Sequence, residues 1–132
     1  MALNGLTYVG THGFSYPNHM IEHALSAICD VPHGAGLSVV MPAWMTWYKE
    51  QNRPQFERFA REIFGLKTAE EGIAALKAWF DKIGTPTTLA QLGVNDEQLA
   101  AVIDNAVQNA VAWQMNETYT QVAITEVFEL AK

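Results

Sequence analysis

The sequence has one cysteine, Cys29, among 132 residues, so the chain cannot close a disulfide within itself. A lone cysteine favours the cytosol, where thiols stay reduced. The sequence also lacks an apolar run of the roughly 20 residues that a bilayer span requires. Its N-terminus does not show the basic and then apolar order of a secretion signal. We therefore expect a cytoplasmic protein that has no membrane partner.

Basic residues are scarce, with 8 Lys and Arg against 14 Asp and Glu and a formal net charge of −6. The basic residues are scattered along the chain, so we expect no nucleic-acid partner. Apolar residues make up 49% of the chain and charged residues 17%, which is more apolar surface than a solvated monomer needs. We expect one domain over residues 1–132, and a homo-oligomer that covers part of this surface.

Prolines, glycines and helix-capping residues predict an all-α helical bundle. Residues 5–10 and 37–41 are the only strand candidates, and both also fit a helix or a loop. Thr68 with Glu71, and Asn95 with Gln98, have the spacing of helix-start capping pairs. Thr88 is positioned to cap a short helical turn, TLAQL. The predicted helices cover residues 17–28, 34–50 with a kink at Pro42, 54–64, 69–83, 96–114 and 121–130.

The segment HMIEH places His19, Glu22 and His23 within five residues. On a helix, the side chains of His19 and His23 project from the same face one turn apart and could bind one divalent ion. The segment also matches H-x-x-E-H, a zinc-protease pattern that requires a third, acidic ligand from elsewhere. A plainer interpretation makes these residues the exposed edge of an amphipathic helix. The candidate third ligands of a protease would be Glu97, Glu117 and Glu126, and nothing in the sequence distinguishes them.

His33 precedes small residues in HGAG, where a helix N-terminus is predicted. The plain interpretation is a tight turn that enters a helix. If His19 and His33 instead face one ion, neutral imidazoles favour iron, zinc, nickel or copper over calcium or magnesium. A catalytic ion needs about three protein ligands and an open position. The missing ligands would come from His12, from an acid in this chain, or from outside it.

Residues 18–45, NHMIEHALSAICDVPHGAGLSVVMPAWM, resemble the iron-containing (group III) alcohol dehydrogenases, particularly the NADPH-linked butanol-dehydrogenase type. The likeness combines H-x-x-x-H, LSA, an acid, HGAGL and PAWM in that order. It continues more loosely through FAREIFGL, WFDKIG and TPTTLAQLGV. The resemblance is clear over residues 3–104 and weak over the rest of the chain.

The resemblance implies the C-terminal, metal-binding helical domain of a dehydroquinate synthase-like fold. In that family a metal held by one aspartate and three histidines lies in the cleft below an N-terminal nucleotide-binding domain. By motif, His19 and His33 are metal ligands. His23 is the catalytic histidine close to substrate and cofactor, and Glu22 supports the site. The implied cofactors are Fe(II) or Zn(II) and NADPH or NADH, and the implied substrate is a small aldehyde or primary alcohol.

The sequence departs from the family pattern upstream of His19. No D-x-x-x-H precedes it, since Tyr8 stands four residues before His12, and no glycine-rich dinucleotide turn is present. We therefore expect a C-terminal portion whose N-terminal nucleotide-binding domain is absent. With two of the four ligands missing, we expect this portion to bind metal far more weakly than the complete enzyme, or not at all, and to turn over no alcohol alone. The alternative is a non-catalytic helical interaction module that pairs with a separate N-terminal half.

Overall fold

The computed structural model describes residues 16–132, and this part of the chain folds into α-helices without a β-strand. The all-α fold is therefore confirmed. None of the helices in residues 16–132 combines the length and apolar character that a membrane crossing requires. The helices are α1 (Pro17–Cys29), α2 (His33–Tyr48), α3 (Arg53–Phe64), α4 (Ala69–Lys82), α5 (Asp96–Ala112) and α6 (Gln121–Glu129). A 3-10 helix, Lys49–Asn52, joins α2 to α3.

Helix starts follow the sequence signals closely. The hydroxyl of Thr68 accepts from the backbone N–H of Glu71, and the Glu71 carboxylate accepts from the backbone N–H of Thr68. Asn95 and Gln98 make the same reciprocal pair at the start of α5. Each pair satisfies backbone donors that the first turn leaves free. Both predicted capping pairs are confirmed.

The helical turn predicted after Thr88 is present, because the backbone N–H of Leu92 donates to the carbonyl of Thr88 and residues 89–93 form hydrogen-bonded turns. The Thr88 hydroxyl does accept from the backbone N–H of Gln91, as a cap would. The backbone N–H of Leu89, which the first turn of a helix leaves free, donates to the carbonyl of Ala131 at 2.8 Å. Gly93 adopts φ 76°, and this left-handed conformation ends the turn. Of the two strand candidates, residues 37–41 lie inside α2, and residues 5–10 lie outside the described residues.

The main core lies where α1 packs on α2 and α5, with α6 closing it against α2 and α5. Met20, Ile21, Leu25, Val102 and Phe128 are among its fully buried side chains. A smaller apolar cluster lies between α2, α3 and α4. The first two helices are thereby held in a fixed relation to each other, which matters because they carry the histidines.

Candidate metal and substrate site

Three histidines meet where α1 and α2 pack together. Asp30 ends α1 in the left-handed conformation, φ 53°, and Pro32 caps α2, so the chain turns back at once and His33 is the first residue of α2. The His33 ring centroid lies 5.4 Å from that of His19 and 5.3 Å from that of His23. The rings of His19 and His23 are 6.5 Å apart, one helical turn from each other. The structure brings together the two predicted metal ligands and the predicted catalytic histidine.

The three rings differ in exposure. His23 and His33 are exposed, whereas His19 is half-buried. Burial lowers the pKa of His19, and charge on the neighbouring His33 and His23 would lower it further, against a smaller opposite effect of Glu22. A lowered pKa keeps the His19 imidazole neutral at neutral pH, with a ring nitrogen lone pair available. That is the form of histidine that binds a metal ion.

Glu22 contacts the His33 ring and is fully buried. Its Oε1 accepts from the Ser26 hydroxyl at 2.6 Å, and its Oε2 contacts Nδ1 of His33. The interpretation of HMIEH as an exposed helix edge is therefore wrong for Glu22, because α2 covers that face of α1. The contact also leaves Nε2 as the ring nitrogen of His33 that has no partner within this pair.

The donor chemistry of the cluster fits a divalent transition-metal ion. Within residues 16–132, Glu22, His23 and His33 form a group in which each side chain offers one potential ligand atom within 4.8 Å of the others. The His19 ring lies beside this group and is not part of it. Imidazole nitrogens suit iron and zinc, and the exposed rings leave the site accessible. His12, which the sequence offered as a further ligand, lies outside the described residues.

The inverted zinc-protease pattern lacks its acidic ligand in the described part of the chain. None of the three downstream glutamates joins the histidines in a group of potential ligand atoms. One of them, Glu126, accepts instead from the indole N–H of Trp47 at 2.8 Å. Glu22, the residue that would activate water in a protease, is bound to Ser26 and His33. The geometry gives the protease hypothesis no support.

Two aromatic side chains flank the histidines and were not singled out in the sequence. The Trp113 ring packs edge-on against His23 with centroids 5.4 Å apart, and Tyr16 packs edge-on against His19 at 5.7 Å. Trp113 follows α5 directly. The buried positions of α5, Leu99, Val102, Ala106 and Ala110, recur at helical spacing, and residue 113 continues that series. Because this face of α5 packs on α1, the pattern could have placed Trp113 beside His23.

The described residues thus form an all-helical fold in which three histidines lie close together. Residues 8–132 match the family described as "Fe-containing alcohol dehydrogenase family, C-terminal". This match covers most of the chain. The chain therefore belongs to the Fe-containing alcohol dehydrogenase family and corresponds to its C-terminal part.

Relatives of known sequence agree with this assignment. The "Probable NADH-dependent butanol dehydrogenase 1" of Bacillus subtilis is 37% identical over 122 residues, which cover 86% of this chain and 31% of that protein. NADH-dependent butanol dehydrogenase A of Clostridium acetobutylicum is 28% identical over 118 residues, covering 83% of this chain and 30% of that protein. The chain thus spans about a third of the length of these relatives.

Solved structures show the same helical arrangement. NADH-dependent butanol dehydrogenase A from Thermotoga maritima superimposes with a TM-score of 0.88 at 36% identity, over 98% of this chain and 36% of that one. The aldehyde reductase YqhD from Escherichia coli gives a TM-score of 0.78 at 22% identity, over 87% of this chain and 32% of that one. The second likeness concerns the fold alone.

Proposed function

We propose that this chain is the metal- and substrate-side domain of an alcohol dehydrogenase that transfers hydride between NADH or NADPH and an aldehyde or primary alcohol. The observation that carries the proposal is the convergence of His19, His23 and His33 at one accessible edge of a domain of this family. A non-catalytic helical module would share the fold, but it would give this convergence no role.

The proposed roles of the three histidines are those that the family resemblance implies. His19, kept neutral by burial, and His33, through Nε2, would hold Fe(II) or Zn(II). The bound ion supplies a Lewis acid that polarises the alcohol or aldehyde oxygen. His23 is the exposed ring directed to substrate and nicotinamide, and the edge of Trp113 restricts the orientations of that ring.

The remaining ligands and the nucleotide site belong, in this proposal, to an N-terminal nucleotide-binding domain. The NADH-dependent butanol dehydrogenases of Bacillus subtilis and Clostridium acetobutylicum, and the E. coli NADPH-dependent aldehyde reductase YqhD, are each about three times as long as the region they share with this chain. We propose either nucleotide as the cofactor, a small alcohol or aldehyde as the substrate and a cytoplasmic location. Self-association through apolar surface remains a prediction.

The chain alone is expected to be inactive, and a graft is expected to be active. The 132 residues, mixed with Fe(II) or Zn(II), butanal and NADH or NADPH, should give no oxidation of nucleotide, because the ion lacks a complete set of ligands. The same residues, substituted for the matched segment of the Bacillus subtilis relative, should restore butanal-dependent oxidation of NADH. Absorbance of the reduced nicotinamide measures both reactions.

The unmodified Bacillus relative is the positive control for the graft. A graft that is folded and metal-loaded but inactive would contradict the proposed function and favour the interaction module. Turnover by the bare chain would contradict the claim that this domain supplies only part of the site.

A further inference from the structure

Glu22 is a fully buried acid, and such residues are rare in protein interiors unless they are partnered. Both of its carboxyl oxygens are engaged. The Ser26 hydroxyl, one helical turn along α1, lies 2.6 Å from Oε1, and Nδ1 of His33 contacts Oε2. Through these two contacts, Glu22 connects Ser26, near the end of α1, to His33, the first residue of α2.

Ser26 holds this carboxyl group in a defined orientation. Its hydroxyl lies within hydrogen-bond distance of both Glu22 Oε1 and the carbonyl of Val31, the latter at 3.1 Å. Val31 belongs to the short connection that leads to His33. The carboxyl group, the hydroxyl and this connection therefore form one hydrogen-bonded unit, which leaves Oε2 to face His33.

Gly36 provides the space for this unit. It lies in α2 three residues after His33 and is buried. A Cβ added at Gly36 would lie 2.7 Å from Cγ of Glu22 and 2.8 Å from Cδ, closer than real Cβ contacts allow. By contrast, a Cβ added at Gly34 would meet nothing within 4 Å. A glycine inside a helix is less favourable than alanine, and the carboxyl group of Glu22 explains why position 36 lacks a side chain.

We infer that Glu22 is a positioning residue for His33. The Nδ1–H of His33 donates to Oε2, which fixes the ring orientation and selects the tautomer whose Nε2 carries the lone pair. Carboxylates that accept from a metal-binding histidine in this way typically strengthen metal binding by about 10 to 100 times. The consequence for metal rests on the proposed function, whereas the tautomer of His33 does not.

Nitrogen NMR of the imidazole rings in the 132-residue chain tests the inference at neutral pH. Unmodified chain should show His33 as the Nδ1–H tautomer. Glu22→Leu removes the acceptor but keeps the volume, and should release His33 to a mixture of tautomers. Glu22→Gln retains an amide oxygen that can accept, and should keep the Nδ1–H form. Backbone amide spectra check that each variant is folded.

The two glycines give a matched pair that leaves every hydrogen-bonding group in place. Gly36→Ala should displace the carboxyl group and change the tautomer of His33, whereas Gly34→Ala should leave it as in the unmodified chain. If Glu22→Leu does not fold, the two alanine variants still test whether Glu22 sets the tautomer of His33. An Nε2–H tautomer in the unmodified chain, or equal spectra for the two alanine variants, would overturn the inference.

Zinc affinity, measured by competition with a chromogenic chelator, separates this inference from the proposed function. Glu22→Leu should bind Zn(II) about 10 to 100 times more weakly than unmodified chain, and Glu22→Gln should lie close to the unmodified value. Absence of zinc binding by the graft in the Bacillus subtilis relative, with the Nδ1–H tautomer present in the chain, would count against the proposed function and support the positioning role. Equal zinc binding and equal tautomers in unmodified chain and Glu22→Leu would overturn the positioning role alone.

Discussion

Replacing His33 by alanine in the active graft should lower butanal-dependent oxidation of NADH about a thousandfold, which corresponds to roughly 4 kcal/mol of lost transition-state stabilisation. The same loss is expected for His19→Ala. Each change removes an imidazole nitrogen from the proposed metal site, and the two rings lie 5.4 Å apart between centroids. A steady-state assay combined with metal analysis of the purified protein measures the effect.

The control variants separate loss of metal from general damage. Gly34→Ala is adjacent to His33 in sequence and its added Cβ would meet nothing within 4 Å, so activity and metal content should be unchanged. His23→Ala should lower activity and retain the metal, because His23 is assigned to substrate and nicotinamide. Full metal content and activity in His33→Ala would contradict its assignment as a ligand.

Replacing Phe128 by alanine should lower the free energy of unfolding by about 3 to 5 kcal/mol, the usual cost of removing a buried aromatic side chain. Phe128 lies in α6, is fully buried and belongs to the main core with residues of α1, α2 and α5. Its loss would leave a cavity under the helices that carry the site. Denaturant titration of the 132-residue chain measures the change.

Val122 provides the matched control on the same helix. It is 68% exposed, so Val122→Ala should change the free energy of unfolding by no more than about 0.5 kcal/mol. A loss below about 1 kcal/mol for Phe128→Ala would show that α6 does not complete the core.

Local signals in the sequence predicted most helix boundaries, and the reason is visible at Thr68 and Asn95. There the side chain and the residue three positions on satisfy each other's backbone donors within one turn, so no tertiary contact is needed. The turn after Thr88 follows the same rule, because its capping bond forms and Gly93, at φ 76°, ends it. The bond from Leu89 to Ala131 joins residues far apart in sequence, so no local signal predicts it.

The candidate site was predictable in part for the same reason. Helical spacing puts His19 and His23 on one face of α1, and the family resemblance adds His33. The environment of Glu22 was not predictable from HMIEH, because the same five residues fit a helix edge exposed to solvent and a helix edge buried by another helix. What covers Glu22 is α2, and the glycine that permits the approach is Gly36, fourteen residues further along the chain.

The central claim is that His19 and His33 bind the same metal ion. Crystals of the chain soaked in a zinc salt, with anomalous diffraction recorded at the zinc absorption edge, test it directly. The account predicts one peak within about 2.0 to 2.1 Å of a ring nitrogen of both His19 and His33. A peak bound by Glu22, His23 and His33 with His19 remote from it would contradict the account.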